Sequence, residues 1–433
     1  MNEGEYIMIA LLIVCFLVLI VIRVPVAFAL LLSSVISIIA AGIPLNVVMQ
    51  KLFEGLNSFP ILAIPFFYLV GNICNSGGIT QRLMRLSYAL VGHLRGALAQ
   101  VNVLVSMLFA GLSGSSTADT AGIGGILIPA MIKEGYSREF TVAITAISST
   151  MGVIIPPSVL MVVYGSMGNV SIGAMFLGGA LPGILIGLGQ MFLCWLFAKK
   201  YNYPIYKKTS IKEKTSSLFH ALPALLIPII IMGGVLGGVF TATESAVIAA
   251  VYALVLGVFI YKDIKPNEVL GIFRETGKFI AAPLFCTSTA TLFGFLITYF
   301  GVAQYVKVFA STISNPSVIL VLVVGIFFIL GMFMDSIPAI IIVLPVIQEL
   351  ASASGIHPVQ MGVIVVLTLA FGLVTPPFGI CLLMASSIAE IKPLKAVKLT
   401  AILAIPSIAV IFLCIFVPDI ILALPKFLMP RSM

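Results

Sequence analysis

Four short polar stretches interrupt long apolar segments and carry the residues that could do chemistry. Residues 111–122 are rich in Gly, Ser and Thr, and 331–338 contain one Gly and one Ser. Both stretches contain an aspartate, whereas 152–158 and 372–379 each contain a Pro-Pro pair. Hydroxyl, carboxylate and unpaired carbonyl oxygens are suitable ligands for a cation, and a helix N-terminus binds an anion. The stretches therefore predict a joint site for a cation and an anionic solute.

Asp335 is the most informative single residue of these stretches. It is the only charged residue between Lys307 and Glu349, and an ionisable group in such an apolar setting is functional by default. Its carboxylate could coordinate a sodium ion, titrate, or cap the second half of a hairpin. Asp119 lies in the first stretch, where helix capping and a functional role are equally compatible with the sequence. Glu244 is expected to cap the helix that follows it.

Hydrolytic chemistry is one alternative that the first stretch raises. The run Gly111-Leu-Ser-Gly114 satisfies the G-x-S-G pattern of intramembrane serine proteases, a chemistry that requires a nearby histidine base. The three histidines, His93, His220 and His357, lie in an interfacial joint, at a span boundary and in a loop. Neither aspartate has the paired G-x-G-D context of an aspartyl protease. An enzyme is therefore disfavoured.

The composition indicates the class of protein in which these residues lie. Of 433 residues, 61% are hydrophobic and 9% charged, and the mean hydropathy is +1.22. A soluble domain carries about 25% charged residues. This excludes a soluble enzyme, a nucleic-acid-binding module, a coiled coil and a disordered chain, and it indicates a polytopic membrane protein. The formal net charge of +8 is concentrated in short joints, as expected for cytoplasmic loops.

Hydropathy and joint charge predict ten membrane crossings. The Arg-rich joint 80–96 is expected to be an interfacial amphipathic helix, and the Lys-rich loop 199–214 gives the strongest cytoplasmic signal. The basic joints 262–278 and 392–398 give weaker cytoplasmic signals. An even number of crossings must separate these two cytoplasmic positions, so 97–132 is predicted to enter and return as a re-entrant hairpin. With an outside start, the C-terminus is expected outside. The predicted spans are 6–22, 25–44, 59–75, 139–165, 171–198, 218–240, 243–261, 279–300, 361–388 and 399–417.

The two halves of the chain repeat each other. A shift of 220 residues places Gly111 on Gly331, Gly152 on Gly372 and the first Pro-Pro pair on the second, without a gap. Equivalent joints differ in charge, so they are predicted to face opposite sides of the membrane. The expected fold is an all-α polytopic membrane protein with two inverted-topology repeats, each with a re-entrant hairpin and a Pro-Pro broken helix. Such repeats are typical of secondary transporters.

The predicted domains follow from this division. Residues 1–96 hold scaffold helices and an interfacial arm, and 97–198 form the first transport-domain repeat. Residues 199–315 hold the basic loop and further scaffold helices, 316–417 form the second transport repeat, and 418–433 are expected to be a tail.

These motifs resemble the DctM-like large membrane subunit of tripartite ATP-independent periplasmic (TRAP) transporters. The likeness rests on 111–119, 152–158, 331–335 and 372–379, with Ile-Pro-Phe-Phe-Tyr-Leu-Val-Gly at 64–71. It implies an elevator-type, sodium-coupled importer of an organic acid, such as a C4-dicarboxylate or sialic acid, in the bacterial inner membrane. It also implies two partners, a small four-helix membrane subunit on a separate chain and a periplasmic binding protein. No cofactor is implied beyond Na⁺ as coupling ion.

The resemblance also implies site residues. The expected sodium ligands are Ser113, Ser115, Ser116, Gly152, Asp335, Gly372 and Thr375. The solute is expected near Thr117, Ser149, Thr150, Pro156, Pro157 and Pro376. An ion channel is disfavoured, because filters usually assemble from identical subunits. A stand-alone sodium–carboxylate symporter of similar fold stays open as the alternative.

Overall fold

The first half of the chain forms ten α-helices. The computed structural model describes residues 3–201, 203–313 and 315–430, and these ranges contain helices and no β-strand. The helices of the first half are α1 (Glu3–Val21), α2 (Val26–Ala40), α3 (Asn46–Leu56), α4 (Ala63–Ser76), α5 (Ile79–Val91), α6 (Ala97–Ser113), α7 (Ser116–Lys133), α8 (Arg138–Ser149), α9 (Val159–Gly168) and α10 (Ile172–Tyr201).

The second half repeats this order. Its helices are α11 (Ile211–Leu236), α12 (Ala242–Val255), α13 (Val269–Tyr299), α14 (Val302–Ser311), α15 (Pro316–Phe333), α16 (Ser336–Ser354), α17 (Pro358–Gly372), α18 (Ile380–Ile388), α19 (Pro393–Leu403), α20 (Ile405–Phe416) and α21 (Asp419–Leu428). The shift of 220 places α5 to α9 on α14 to α18, and it places α3 and α4 together on the single long helix α13. The repeat therefore extends well beyond the four motifs that indicated it.

Each hairpin turns where the sequence predicts a break. In the first hairpin, α6 ends at Ser113 and is followed by Gly114, whose φ of 61° lies in the left-handed region that glycine adopts without strain. The Ser115 hydroxyl then caps α7 by accepting a hydrogen bond from the backbone N–H of Ala118 at 3.4 Å. In the second hairpin Asp335 occupies the equivalent capping position before α16.

The two Pro-Pro stretches break their helices as predicted. α8 ends at Ser149 and the chain resumes as α9, whose first turn is capped by Ser158. The Ser158 hydroxyl also donates to the carbonyl of Val153 at 2.5 Å, so this hydrogen bond joins the two ends of the break. α17 ends at Gly372 and resumes as α18, and both Pro-Pro peptide bonds are cis.

In the core, the second part of each repeat's broken helix packs against the other repeat. α18 packs against α7 and α8 of the first repeat, and α9 packs against α16 of the second. α4, α12 and α13 form a second group, in which α13 contacts α2, α3 and α4 and α12 contacts α4 and α11. The arm α5 lies between the groups, since it contacts both α6 and α11.

By length and composition, seven described helices could cross a membrane, or eight if α19 and α20, bent by 45°, form one span. Long apolar helices of this number confirm a multi-pass membrane protein. The seven include both arms of the second hairpin, so length alone does not identify the crossings.

The predicted helix cap at Glu244 is confirmed, because its carboxylate accepts a hydrogen bond from the backbone N–H of Thr241 at 2.8 Å.

Some boundaries differ from the sequence prediction. The predicted span 279–300 begins ten residues earlier, at Val269, so Arg274 and Lys278 of the predicted basic joint lie within a continuous helix. The predicted tail 418–433 contains α21, which packs on α10 and α17, while its last three residues lie outside the described ranges. Residues 46–56, which fall between the predicted spans 25–44 and 59–75, form α3.

Candidate ion and substrate site

A cavity of about 440 Å³ lies between the two hairpin tips and the helices α4 and α13. One wall consists of the tips, which bring the first residues of α7 and α16 to the cavity. The opposite wall consists of polar and aromatic side chains of α4 and α13. The lining residues that matter below are Tyr68, Asn72, Asn75, Ser115, Ser116, Thr117, Phe279, Asp335 and Ser336.

Hydroxyl groups are concentrated at the tip of the first hairpin. The Ser115 and Thr117 hydroxyl oxygens lie 3.1 Å apart, and the Ser113 hydroxyl accepts from the backbone N–H of Ser115 at 3.2 Å. The Ser116 hydroxyl donates to the carbonyl oxygen of Thr150 at 3.3 Å. This last bond ties the tip to the end of the broken helix, so the predicted sodium ligands of the first repeat lie together.

Asp119 joins this group, although the sequence analysis left its role open. The Ser113 hydroxyl donates to Asp119 Oδ1, whereas the buried Oδ2 has no hydrogen-bond partner within the described residues. A Cβ built on Gly152 would lie 2.5 Å from that Oδ2. A buried carboxylate oxygen without a partner is costly, and a bound cation would satisfy it. Asp119 thus lies directly beside the predicted first-repeat ligands Ser113 and Gly152.

The second hairpin presents its aspartate differently. Asp335 Oδ1 accepts from the backbone N–H of Ser336 at 2.7 Å, so this carboxylate caps α16, and its side chain is exposed at the cavity surface. Behind it, Gly372 packs against Gly331 so closely that a Cβ on Gly372 would lie 2.7 Å from the Gly331 Cα. The Thr375 hydroxyl donates to the carbonyl of Phe371 at 3.0 Å.

The predicted substrate residues are only partly brought together. Thr117 lines the cavity, whereas the hydroxyls of Ser149 and Thr150 donate to carbonyls of their own helix at 2.7 Å each. Pro156 and Pro157 are buried behind the first hairpin, and neither they nor Pro376 lines the cavity.

The sequence analysis missed the wall formed by α4. Tyr68, Asn72 and Asn75 follow the i, i+4, i+7 spacing of one helix face and all line the cavity. The Asn72 amide donates to the Thr276 hydroxyl of α13 at 2.8 Å, which fixes its orientation. Polar side chains at this helical spacing inside an apolar span indicate a polar helix face, and the sequence alone contains that signal.

The electrostatics of the cavity follow from its lining. No Lys, Arg or His occurs among the lining residues in the described part of the chain, whereas Asp335 does. An anionic solute would therefore be held by the N-terminal turns of α7 and α16, by hydroxyls and amides, and by cations bound nearby. The arrangement suits binding, and no described lining residue is a histidine base for hydrolysis.

Comparison with known proteins identifies a family for this chain. Residues 13–420 match the family model "Tripartite ATP-independent periplasmic transporter, DctM component". The sialic acid TRAP transporter large permease SiaM of Vibrio cholerae is 36% identical over 93% of this chain and 95% of its own length. The C4-dicarboxylate TRAP transporter large permease DctM of Pseudomonas aeruginosa is 37% identical over 87% of this chain and 89% of its own.

A solved structure shows the same fold at much lower identity. MtrF of Neisseria gonorrhoeae, described as illuminating a class of antimetabolite efflux pumps, aligns with a TM-score of 0.60 at 15% identity. The alignment covers 86% of this chain and 85% of that chain. The predicted fold class, an all-α membrane protein with two inverted repeats of the elevator type, is confirmed. The chain therefore belongs to the DctM component family of tripartite ATP-independent periplasmic transporters, and it is a transporter permease subunit rather than an enzyme.

Proposed function

We propose that this chain imports an organic acid across the bacterial inner membrane by sodium coupling, as the large subunit of a tripartite transporter. The observation that carries the proposal is the buried, unpartnered Oδ2 of Asp119, which lies beside Gly152 and close to the hydroxyl groups of the first hairpin tip. A monovalent cation held by oxygens fits this place, and the described residues that line the adjoining cavity include no basic side chain.

Coupling follows from the charge of the solute. A carboxylate entering the cavity meets Asp335 and finds no Lys, Arg or His among the described lining residues. The N-terminal turns of α7 and α16 supply partial positive charge, and sodium ions bound at Ser113–Asp119 and at Asp335–Thr375 supply the rest. Binding of the acid is then unfavourable until the ions have bound, which links the two fluxes.

The cavity also supports an elevator movement. One wall belongs to the hairpins and broken helices, the proposed transport domain, and the other belongs to α4 and α13, the proposed scaffold. If the first wall carries ions and solute, sliding it along α4 would expose the solute to the opposite side. Tyr68, Asn72 and Asn75 would then contact the solute in one end state only.

The substrate class is an organic acid delivered by a periplasmic binding protein. The relatives named above carry sialic acid and C4-dicarboxylates in their names, and a cavity of about 440 Å³ accommodates acids of that size. A small membrane subunit is expected to complete the scaffold, as the family implies.

The test is uptake into proteoliposomes that contain this chain and a small-subunit partner. A panel of labelled organic acids is tried, each with its binding protein, with and without a sodium gradient. Asp335→Asn is expected to reduce sodium-driven uptake at least tenfold, because it removes the charge that faces the ion. Asp419→Asn is the matched control, since its carboxylate is in an exposed ion pair with Lys426 at 3.0 Å.

Two results would contradict the proposal. Uptake driven by a proton gradient without sodium would refute the coupling. Sodium-driven uptake that needs no binding protein would make the chain a stand-alone symporter.

A further inference from the structure

The short helix α14 connects two parts of the molecule that the proposed transport movement separates. The Tyr305 ring of α14 packs on the Tyr6 ring of α1, with the ring centroids 5.1 Å apart. The Lys307 Nζ of the same helix lies 3.1 Å from a carboxylate oxygen of Glu349 in α16. α1 and α14 belong to the predicted scaffold, whereas α16 is an arm of the second hairpin. The ion pair therefore joins the scaffold to the proposed transport domain.

The contact around this ion pair is closed and mostly apolar. Ile297 of α13 is 6% exposed, and it borders a cavity of about 130 Å³ that Pro345 and Glu349 of α16 also line. A Cβ built on Gly294 of α13 would lie 3.5 Å from Pro345 Cγ, which is an ordinary van der Waals contact. The second hairpin thus packs directly on the last turns of α13, with the ion pair beside this contact.

The first repeat is open at the equivalent place. The shift of 220 residues places Gly125 of α7 on Pro345. A Cβ added to Gly125 would meet no atom of the described residues within 4 Å. Ser87 and the exposed Pro129 stand at the positions equivalent to the two partners of the ion pair. The first hairpin is therefore uncovered where the second is covered, and its residues cannot form an equivalent ion pair.

This asymmetry is the one expected for an end state of the proposed elevator movement. α16 packs against α13 and α14, whereas its repeat equivalent α7 packs mainly against α6, α8 and α18. Inverted repeats let one body move against the other so that equivalent elements exchange their surroundings between the two end states. In the opposite end state α7 would approach the scaffold and α16 would leave it. The contact between Lys307 and Glu349 would then have to open.

We propose that Lys307 and Glu349 form a latch that holds the transport domain in this end state and opens in each transport cycle. The inference rests on the elevator movement proposed above and adds the residues that regulate it. The two side chains are 58% and 33% exposed, and an ion pair in such a place contributes little stability, so it can open readily. Because the first repeat lacks the pair, the latch acts on one end state only.

The first experiment closes the latch covalently. Lys307→Cys is combined with Glu349→Cys in the full chain, reconstituted with its small-subunit partner, and the thiols are bridged with a short bis-methanethiosulfonate that a reductant removes. Bridging should lower uptake by about tenfold or more, since the two bodies can no longer separate, and the reductant should restore it. The unmodified protein, treated in the same way, measures the background from the native cysteines, of which five are buried and Cys15 is half-buried.

A second ion pair provides the matched control for bridging. Lys51 Nζ lies 2.6 Å from a carboxylate oxygen of Glu54, and both residues belong to the single helix α3. Lys51→Cys with Glu54→Cys is bridged with the same reagent. Because residues at this spacing stay neighbours on one helix whatever the transport domain does, uptake should change by less than about twofold.

The second experiment tests the charges without a cross-link. Ile297→Cys serves as the reporter, because the side chain is buried beside α16 and a maleimide reaches it only when the hairpin moves away. Lys307→Glu places two carboxylates together, so it should raise the modification rate about two- to fivefold. Lys307→Glu combined with Glu349→Lys restores the attraction and should return the rate to that of the reporter alone. Lys51→Glu, which faces Glu54 within α3, should leave the rate unchanged.

Two outcomes would overturn the latch. Undiminished uptake after complete bridging would show that α14 and α16 stay together throughout the cycle. Equal reporter rates for Lys307→Glu and for the charge exchange would show that the pair does not hold this end state. In either case, intact sodium-driven uptake by the unmodified protein would leave the proposed function standing. If the cysteine pair impairs uptake before bridging, the charge exchange decides.

Discussion

Replacement of Gly372 by alanine should separate the second hairpin from its broken helix. The added Cβ would lie 2.7 Å from the Cα, 2.8 Å from the carbonyl carbon and 3.0 Å from the oxygen of Gly331. Non-bonded carbon atoms prefer about 3.5 Å, so the two backbones must move apart by about 0.8 Å. All three neighbours are backbone atoms, so no change of rotamer can relieve the contact.

The free-energy cost of this separation should appear as weaker sodium binding. Overpacking of this kind costs about 1–3 kcal/mol, and each 1.4 kcal/mol is a factor of ten in an equilibrium constant. The separated elements carry the proposed ligands Asp335 and Thr375, so the ion-bound state suffers most. Gly372→Ala is therefore expected to raise the sodium concentration for half-maximal uptake by about 5-fold to 150-fold.

The assay is sodium-dependent uptake in proteoliposomes, with protein orientation and amount matched. Gly325→Ala is the control, because Gly325 lies in the same helix as Gly331 and its added Cβ meets nothing within 4 Å. A half-maximal sodium concentration within twofold of the unmodified protein for Gly372→Ala would refute the proposed second ion site.

Three further predictions concern other parts of the molecule. Asp119→Asn should raise the half-maximal sodium concentration at least tenfold, because it removes the buried charge beside Gly152; unchanged sodium dependence would exclude Asp119 as a ligand. Gly122→Ala places a Cβ against Asn75 Oδ1 across the proposed sliding surface, so maximal uptake should fall several-fold at unchanged sodium dependence. Burial, and then Lys426, lowers the pKa of His357, whose Nδ1 accepts from Val359 N–H at 3.2 Å; the folded state therefore resists protonation. The stability is present above pH 6.5 and is lost as the pH falls, so Tm should drop below that pH, and His357→Asn should flatten the drop.

The repeat and its breaks could be predicted because their signals are local. Glycines and Pro-Pro pairs at matching positions of the two repeats mark the turns and breaks. Their effect on the backbone does not depend on how the rest of the chain packs. The role of Asp119 could not be settled in this way, because a capping carboxylate and an ion ligand occupy the same end of a helix. The proposal of a ligand role rests on the position of Gly152, which lies in the break after α8 and is distant from Asp119 in sequence.

Other differences have different physical causes. The face of Tyr68, Asn72 and Asn75 was readable as spaced polar residues, but which helix it meets depends on tertiary packing. The helix α21 is short and contains Pro425, so no hydropathy window of span length detects it. The start of α13 at Val269 was hidden because its first turns carry charged residues.

The exchange of broken helices between the repeats sets the order in which the chain can mature. α7 and α8 emerge early during synthesis, yet one of their packing partners, α18, is made only when residues 380–388 appear. Until then the first hairpin lacks a surface it packs against, and its polar tip must be shielded by water, lipid headgroups or the insertion machinery. Truncation before α18 should therefore leave the first repeat open to proteases, even though its own sequence is complete.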